Sequence, residues 1–146
     1  MMPDAWRSHL IDDDDGIQRV LRDTHRIAVL GIKMEASQPA YYVPAYAKRV
    51  GLAIVPVPVY YPDATEILGE KVFRSVADIP GDVDMVNVFR RPRDIAAHVD
   101  DIIAKRPASV WFQLGIQNDE AAERLAREGI DVIQNRCLMV ELQLHR

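Results

Sequence analysis

The residues best suited to chemistry are two adjacent arginines. Arg90 and Arg91 follow the apolar run VDMVNVF and precede Pro92. Two guanidinium groups at the end of a strand can clamp phosphate oxygens through charge-assisted hydrogen bonds. In an exposed loop the same charges would simply be a solvated pair. A second candidate is Gly31, which ends the run IAVL and opens the loop GIKMEASQP. Glycine there permits a tight turn and close approach of a ligand, and the amides that open the next helix can meet phosphate oxygens. The second and third glycines of G-x-G-x-x-G are absent, as is the G-K-[ST] of a P-loop. A lone glycine after a strand also serves as a plain turn. The next apolar run ends Val55-Pro56-Val57-Pro58-Val59-Tyr60-Tyr61, with no carboxylate to hold the ribose hydroxyls of NAD. This proline-rich end better suits an adenine packed against an apolar ledge.

No catalytic set assembles around these positions. His9, His25, His98 and His145 are scattered, and none falls at the carboxyl end of an expected strand, so no nucleophile–base–orienter group forms. Metal ligation needs clustered His, Cys or carboxylates at suitable spacing, and no such spacing occurs. Asp12 to Asp15 lack the alternating ligands and closing Glu of a calcium loop and fit the start of a helix instead. Cys137 follows Arg136, whose charge could lower the thiol pKa. A buried, inert cysteine is the alternative.

The elements that must carry these residues alternate in type. Short apolar runs at 27–30, 53–57, 83–89, 110–114 and 132–134 read as strands. Amphipathic stretches at 42–49, 93–105 and 118–128 read as helices, with Asn118-Asp119-Glu120 as a start signal and Gly51 and Gly129 as stops. A further helix runs through Ile17, Val20 and Leu21. Strands alternating with helices predict an α/β fold: a single doubly wound Rossmann-like domain over 1–146, its mostly parallel sheet flanked by helices and residues 1–15 an N-terminal extension. The stretch from Pro58 to Pro80 breaks the rhythm. It reads as a surface excursion in place of a crossover helix, with one short edge strand at Lys71-Val72-Phe73. In such folds ligands sit at the carboxyl ends of the strands, which raises the standing of Gly31, Arg90 and Arg91.

Composition sets outer bounds. A chain of 146 residues with 49% hydrophobic content has enough apolar surface for a core. Eighteen basic against 22 acidic residues give a net charge of −4, which offers no general attraction for nucleic acid or an anionic membrane. The single cysteine excludes an internal disulfide framework. No run approaches the ~20 apolar residues of a membrane span, and MMPDAWRSHLIDDDD lacks the pattern of a signal peptide. A cytoplasmic protein is expected.

Five segments together resemble the stand-alone CoA-binding protein family, whose fold is similar to the CoA-binding domain of the succinyl-CoA synthetase α subunit. They are IAVLGIKMEASQPAYYVPAYAKRVG, EILGEKVFRSVADIP, VDMVNVFRRP, VWFQLGIQNDEAAERLAREGI and NRCLMVE. The resemblance covers residues 16 to 146. It implies a CoA pyrophosphate over the loop Gly31 to Pro39, including Lys33, Ser37 and Gln38, with Ser37 and backbone amides as donors. It implies adenosine near Pro56, Pro58 and Val59, with Phe89, Arg90, Arg91 and Pro92 opposite. Gln113, Leu114, Gly115, Asn135 and Cys137 fall towards the pantetheine end. Lys33 replaces a small hydroxyl residue common in relatives, and Pro-Val-Pro-Val-Tyr-Tyr replaces an Asn-Pro pair. The phosphorylated histidine of the synthetase lies in a second domain outside the resemblance, so a ligase activity is not expected to carry over.

The function expected is non-catalytic binding of coenzyme A or an acyl-CoA. Two alternatives remain: a subunit of a CoA-ligase or acyltransferase system completed by a partner chain, and an interaction module with a vestigial cleft.

Overall fold

A computed structural model describes residues 4–146; the first three residues of the expected N-terminal extension lie outside the described residues. In chain order the regular elements are α1 (Asp14–Arg22), β1 (Arg26–Leu30), α2 (Pro39–Arg49), β2 (Ala53–Val57), β3 (Glu66–Ile67), β4 (Glu70–Lys71), β5 (Met85–Val88), α3 (Val99–Lys105), β6 (Ser109–Phe112), α4 (Asp119–Arg127), β7 (Asp131–Ile133) and α5 (Leu138–His145). Asp13 caps α1 by accepting from the Gly16 amide, and Asp14 and Asp15 occupy its first turn. The acidic run is therefore a helix start.

The five long strands form one parallel sheet in the order β2-β1-β5-β6-β7. The order reverses between β1 and β5, so the topological switch point lies between Leu30 and Val88. Ile27, Val29, Met85, Trp111 and Ile133 face α1, α2 and α5, meeting Ile17, Leu21, Val43, Ala47, Leu138 and Leu142. Ala28, Leu30, Val86, Val88, Val110 and Phe112 face α3 and α4, meeting Val99, Ile102, Ala121, Ala122 and Leu125. Burial on both faces explains why the strands read as unbroken apolar runs. The doubly wound expectation agrees with this layout.

Two local expectations need correction, and one helix was not expected. The stretch 93–105 is not one helix. Two short 3-10 turns, Pro92–Asp94 and Ala96–His98, precede α3. Pro92 sets a helical φ but brings no amide, so the chain turns tightly around the strand end before true helix begins. The segment at Lys71 is not an edge strand of the main sheet. β3 and β4 form a separate antiparallel hairpin through Leu68 and Gly69, both at positive φ. It screens the β2 edge, where Phe73 donates to the Pro56 carbonyl at 3.0 Å. Pro56 is tolerated because β2 is the edge strand of the sheet. Finally, LMVELQLH forms α5, which its sequence hides because apolar residues lie all round it.

The switch point is closed by Gly31. Its φ is +87°, and a Cβ there would stand 2.4 Å from the Phe89 carbonyl oxygen. Both the backbone conformation and the contact demand glycine. Gly31→Ala is expected to lower stability by about 2–3 kcal/mol. Urea denaturation would check it, and a loss under 0.5 kcal/mol would show that the junction is softer than its geometry.

Candidate functional site

A groove of about 350 Å³ opens above this junction, at the carboxyl ends of β1, β5 and β6. One wall is Lys33, Gln38, Pro39 and Ala40, where the loop after β1 enters α2. The other is Phe89 to Pro92 and Gln113 to Ile116. Three segments far apart in sequence meet because parallel strands end on the same side of the sheet.

At the entry to α2 the Tyr41 amide donates to the Gln38 carbonyl at 2.9 Å and Pro39 has no N–H, so of the first three helical residues only Ala40 keeps a free amide. Pro39 occupies the first turn, and the Gln38 side chain makes no capping hydrogen bond. The Lys33 amide donates to the Ala40 carbonyl at 3.2 Å, which folds the loop back over the helix start. The positive end of the helix dipole thus faces the groove beside the Lys33 side chain. The Lys33 ammonium lies 5.8 Å from the centre of the Tyr60 ring, over an aromatic face.

The paired arginines separate. Arg91 is exposed and its Nε donates to Asp94 at 2.8 Å. Arg90 is largely buried. Its Nε donates to His98 Nε2 at 3.3 Å, and a terminal nitrogen lies 3.8 Å from the same Asp94 carboxylate. An accepting Nε2 requires a neutral imidazole with its proton on Nδ1. Burial, and then the Arg90 charge, hold the His98 pKa below its ordinary value. The Arg91 hydrogen bond and the neighbouring arginine charges hold Asp94 below the usual carboxylate range. The expected two-pronged clamp is therefore one rim cation, Arg91, and one internal cation, Arg90, whose stem packs beside Gly31.

The remaining expected residues divide. Lys33, Gln38, Pro39, Phe89, Arg90, Arg91, Pro92, Gln113, Leu114 and Gly115 come together around the groove. Gly31 is buried beneath it, where the chain presses against the Phe89 carbonyl. Ser37 is exposed in the turn before α2 and outside the lining. Asn135, at φ +59°, holds the far loop, its side-chain oxygen accepting from the Gly115 amide at 2.7 Å. Cys137 is half-buried at the start of α5, packed on the core and outside the groove lining. The Arg136 guanidinium goes to Asp12 and Glu141. Pro56 and Pro58 are buried and Val59 is exposed, none of them in the groove wall.

Several participants escaped the sequence reading. Tyr61, at φ +59°, accepts from the Met34 amide at 3.2 Å and donates to Glu35 at 2.5 Å, tying the excursion after β2 onto the loop after β1. That hydroxyl, first among the causes, lowers the Glu35 pKa; burial chiefly raises that of Tyr61. Arg74 fixes the bend by donating to the carbonyls of Tyr60, Tyr61 and Ala64. No local sequence signal reports such contacts. Asp94 could have been found, standing three and four residues after the arginines.

Known proteins place the chain. A family model described as a CoA binding domain matches residues 25–143, and the chain belongs to that family. The Bacillus subtilis protein YneT, named as uncharacterized, is 32% identical over 124 residues, covering 85% of this chain and 90% of its own. A Thermus thermophilus structure titled cell-free ID.343 superposes with a TM-score of 0.85 at 36% identity, covering 92% of this chain and all of the other. A hypothetical protein from Pyrococcus horikoshii gives 0.84 at 31%, covering 91% and 92%.

The His98–Arg90 contact has a pH signature. A depressed folded pKa means the unfolded chain binds the proton more readily, so this contribution is complete above the ordinary imidazole value of about 6.5 and is lost as pH falls through the folded one. Stability measured by urea denaturation should decline from pH 7.5 to 5 more steeply than in His98→Gln. Parallel curves would remove His98 from that role.

Proposed function

We propose that the groove binds coenzyme A or an acyl-CoA as a nucleotide-type ligand and catalyses no reaction. The observation that carries this reading is the uncapped start of α2 beside Lys33 at the switch point. It puts the free Ala40 amide, a helix dipole and a cation where a pyrophosphate would lie. Membership of the CoA-binding domain family supports the choice of ligand. The missing carboxylate after β2 speaks against NAD. Arg91 would add a second cation at the rim, and the apolar far wall, with Phe89, Leu114 and Ile116, would take the less polar arm of CoA. The net charge of −4 offers no general attraction for nucleic acid, and no helix among the described residues is long and apolar enough to cross a membrane. With a single cysteine and an acidic balance, we place the protein in the cytoplasm.

Thermal unfolding with CoA, dephospho-CoA, acetyl-CoA, NAD and ATP in parallel tests the reading. A ligand at a hundred times its Kd adds about 2.7 kcal/mol of apparent stability. CoA and acetyl-CoA should stabilise, dephospho-CoA less so, NAD and ATP least. No shift with any of them would sink the proposal. Within it, Lys33→Ala should weaken CoA binding by about 1.5–3 kcal/mol. Arg91→Ala should cost about 1 kcal/mol or less, because its charge is exposed and already shared with Asp94. Calorimetric titration would rank the two, and the reverse order would move the phosphate site to the rim.

A further inference from the structure

The groove contains one polar side chain whose orientation is fixed by the protein and whose donor is left over. Gln113 follows β6 and is 4% exposed. Its side chain falls on the same side of the sheet as Trp111, facing α2 and α5. Its Oε1 accepts from the Leu138 amide, at the start of α5, at 3.2 Å, and receives a longer contact of 3.5 Å from Asn87 Nδ2. A backbone N–H can only donate, so the oxygen must be the atom facing Leu138. Asn87 is oriented by the same logic, since its Nδ2 donates to the Trp111 carbonyl at 3.2 Å. The Gln113 amide cannot flip without setting donor against donor.

This leaves the Gln113 Nε2 group. Among the described residues it has no protein partner. Nor is it one of the sealed, unpaired polar atoms, which are Trp6 Nε1, Asn87 Oδ1 and Ser109 Oγ. The open space beside Gln113 is the groove, which it lines together with Phe89, Leu114 and Ile116. A neutral N–H₂ donor held against an apolar wall suits a neutral acceptor. A phosphate would be better served by Lys33 and the start of α2. A carboxylate would need a cation, and the nearby Arg90 is committed to His98 and Asp94.

We propose that Gln113 is a specificity-determining residue that donates through Nε2 to a carbonyl oxygen, of an amide or a thioester, in the uncharged arm of the ligand. The inference rests on the reading of the groove as a CoA site. It assigns to that site a polar contact separate from its phosphate contacts. Discrimination follows because an arm without a carbonyl leaves a buried donor unpaired, whereas one that carries it satisfies that donor.

Gln113→Glu is the informative substitution. It keeps an oxygen for the Leu138 amide, replaces the donor with an acceptor and adds a negative charge. Binding of CoA, 4′-phosphopantetheine, pantetheine and adenosine 3′,5′-bisphosphate is measured by calorimetry for both proteins, with amide NMR spectra to confirm the fold. The expected result is a loss of about tenfold or more for CoA, phosphopantetheine and the uncharged pantetheine, with the bisphosphate changed less than about twofold. In the wild-type protein the Gln113 side-chain amide resonances should shift with pantetheine and stay in place with the bisphosphate. Unchanged CoA affinity in the variant would overturn the Gln113 assignment and leave the CoA reading standing. An equal loss for the bisphosphate would overturn it too, by showing simple charge repulsion. Absence of binding by wild-type protein to all four compounds would overturn both readings together.

Discussion

The structure turns on the contact between Gly31 and the backbone of Phe89. β1 and β5 are neighbours in the sheet but leave it in opposite directions, and the crevice between their ends is where a ligand can enter. Gly31 lets the chain turn with φ +87° while pressed against the Phe89 carbonyl. Its own amide donates to Val57 at 2.8 Å, and the Phe89 amide donates to Leu30 at 2.9 Å. Three strand ends are thereby locked at one point. A side chain at residue 31 would separate them and displace both walls of the groove.

Electrostatics above that junction is mostly settled within the protein. Asp94 draws both arginines, His98 stays neutral as the acceptor of Arg90, and Glu35 is tied to Tyr61. What remains facing the groove is sparse: the start of α2, Lys33, the exposed Arg91 and the donor of Gln113. Such an arrangement costs little reorganisation when a ligand arrives, because the groups around it already have partners. It also separates two chemistries, with charge at the α2 wall and neutral, largely apolar surface at the other.

The excursion after β2 shows how a doubly wound domain can do without one crossover helix. Residues 58–84 replace that helix with a hairpin, a 3-10 turn and two polar anchors. Arg74 collects three carbonyls at one end, and Asp101 of α3 accepts from Ser75, Val76 and Ala77 at the other. Val76, Ile79 and Val83 complete the core face that a helix would otherwise cover. The same excursion reaches the loop after β1 through Tyr60, beside Lys33, and Tyr61, bonded to Met34 and Glu35.

The sequence by itself determined the sheet and most of its helices, because burial on both faces and helical spacing are local patterns in the order of residues. It also determined the switch-point loops, since strand ends follow directly from strands, and Gly31, Lys33, Phe89, Arg90 and Arg91 fall there by position. The division of 92–105 into two 3-10 turns and α3, the hairpin at 66–71 and α5 were beyond it. Each depends on what covers the segment, and a helix apolar on all sides carries no period to detect. Only the tertiary structure decided that Arg90 turns inward while Arg91 stays at the rim. It alone removed Cys137, Ser37 and the Pro56–Val59 segment from the groove wall. It alone oriented Gln113, because the Leu138 amide that fixes its oxygen lies 25 residues away. Side-chain direction at a site is set by partners distant in sequence, and those partners exist only once the chain has folded.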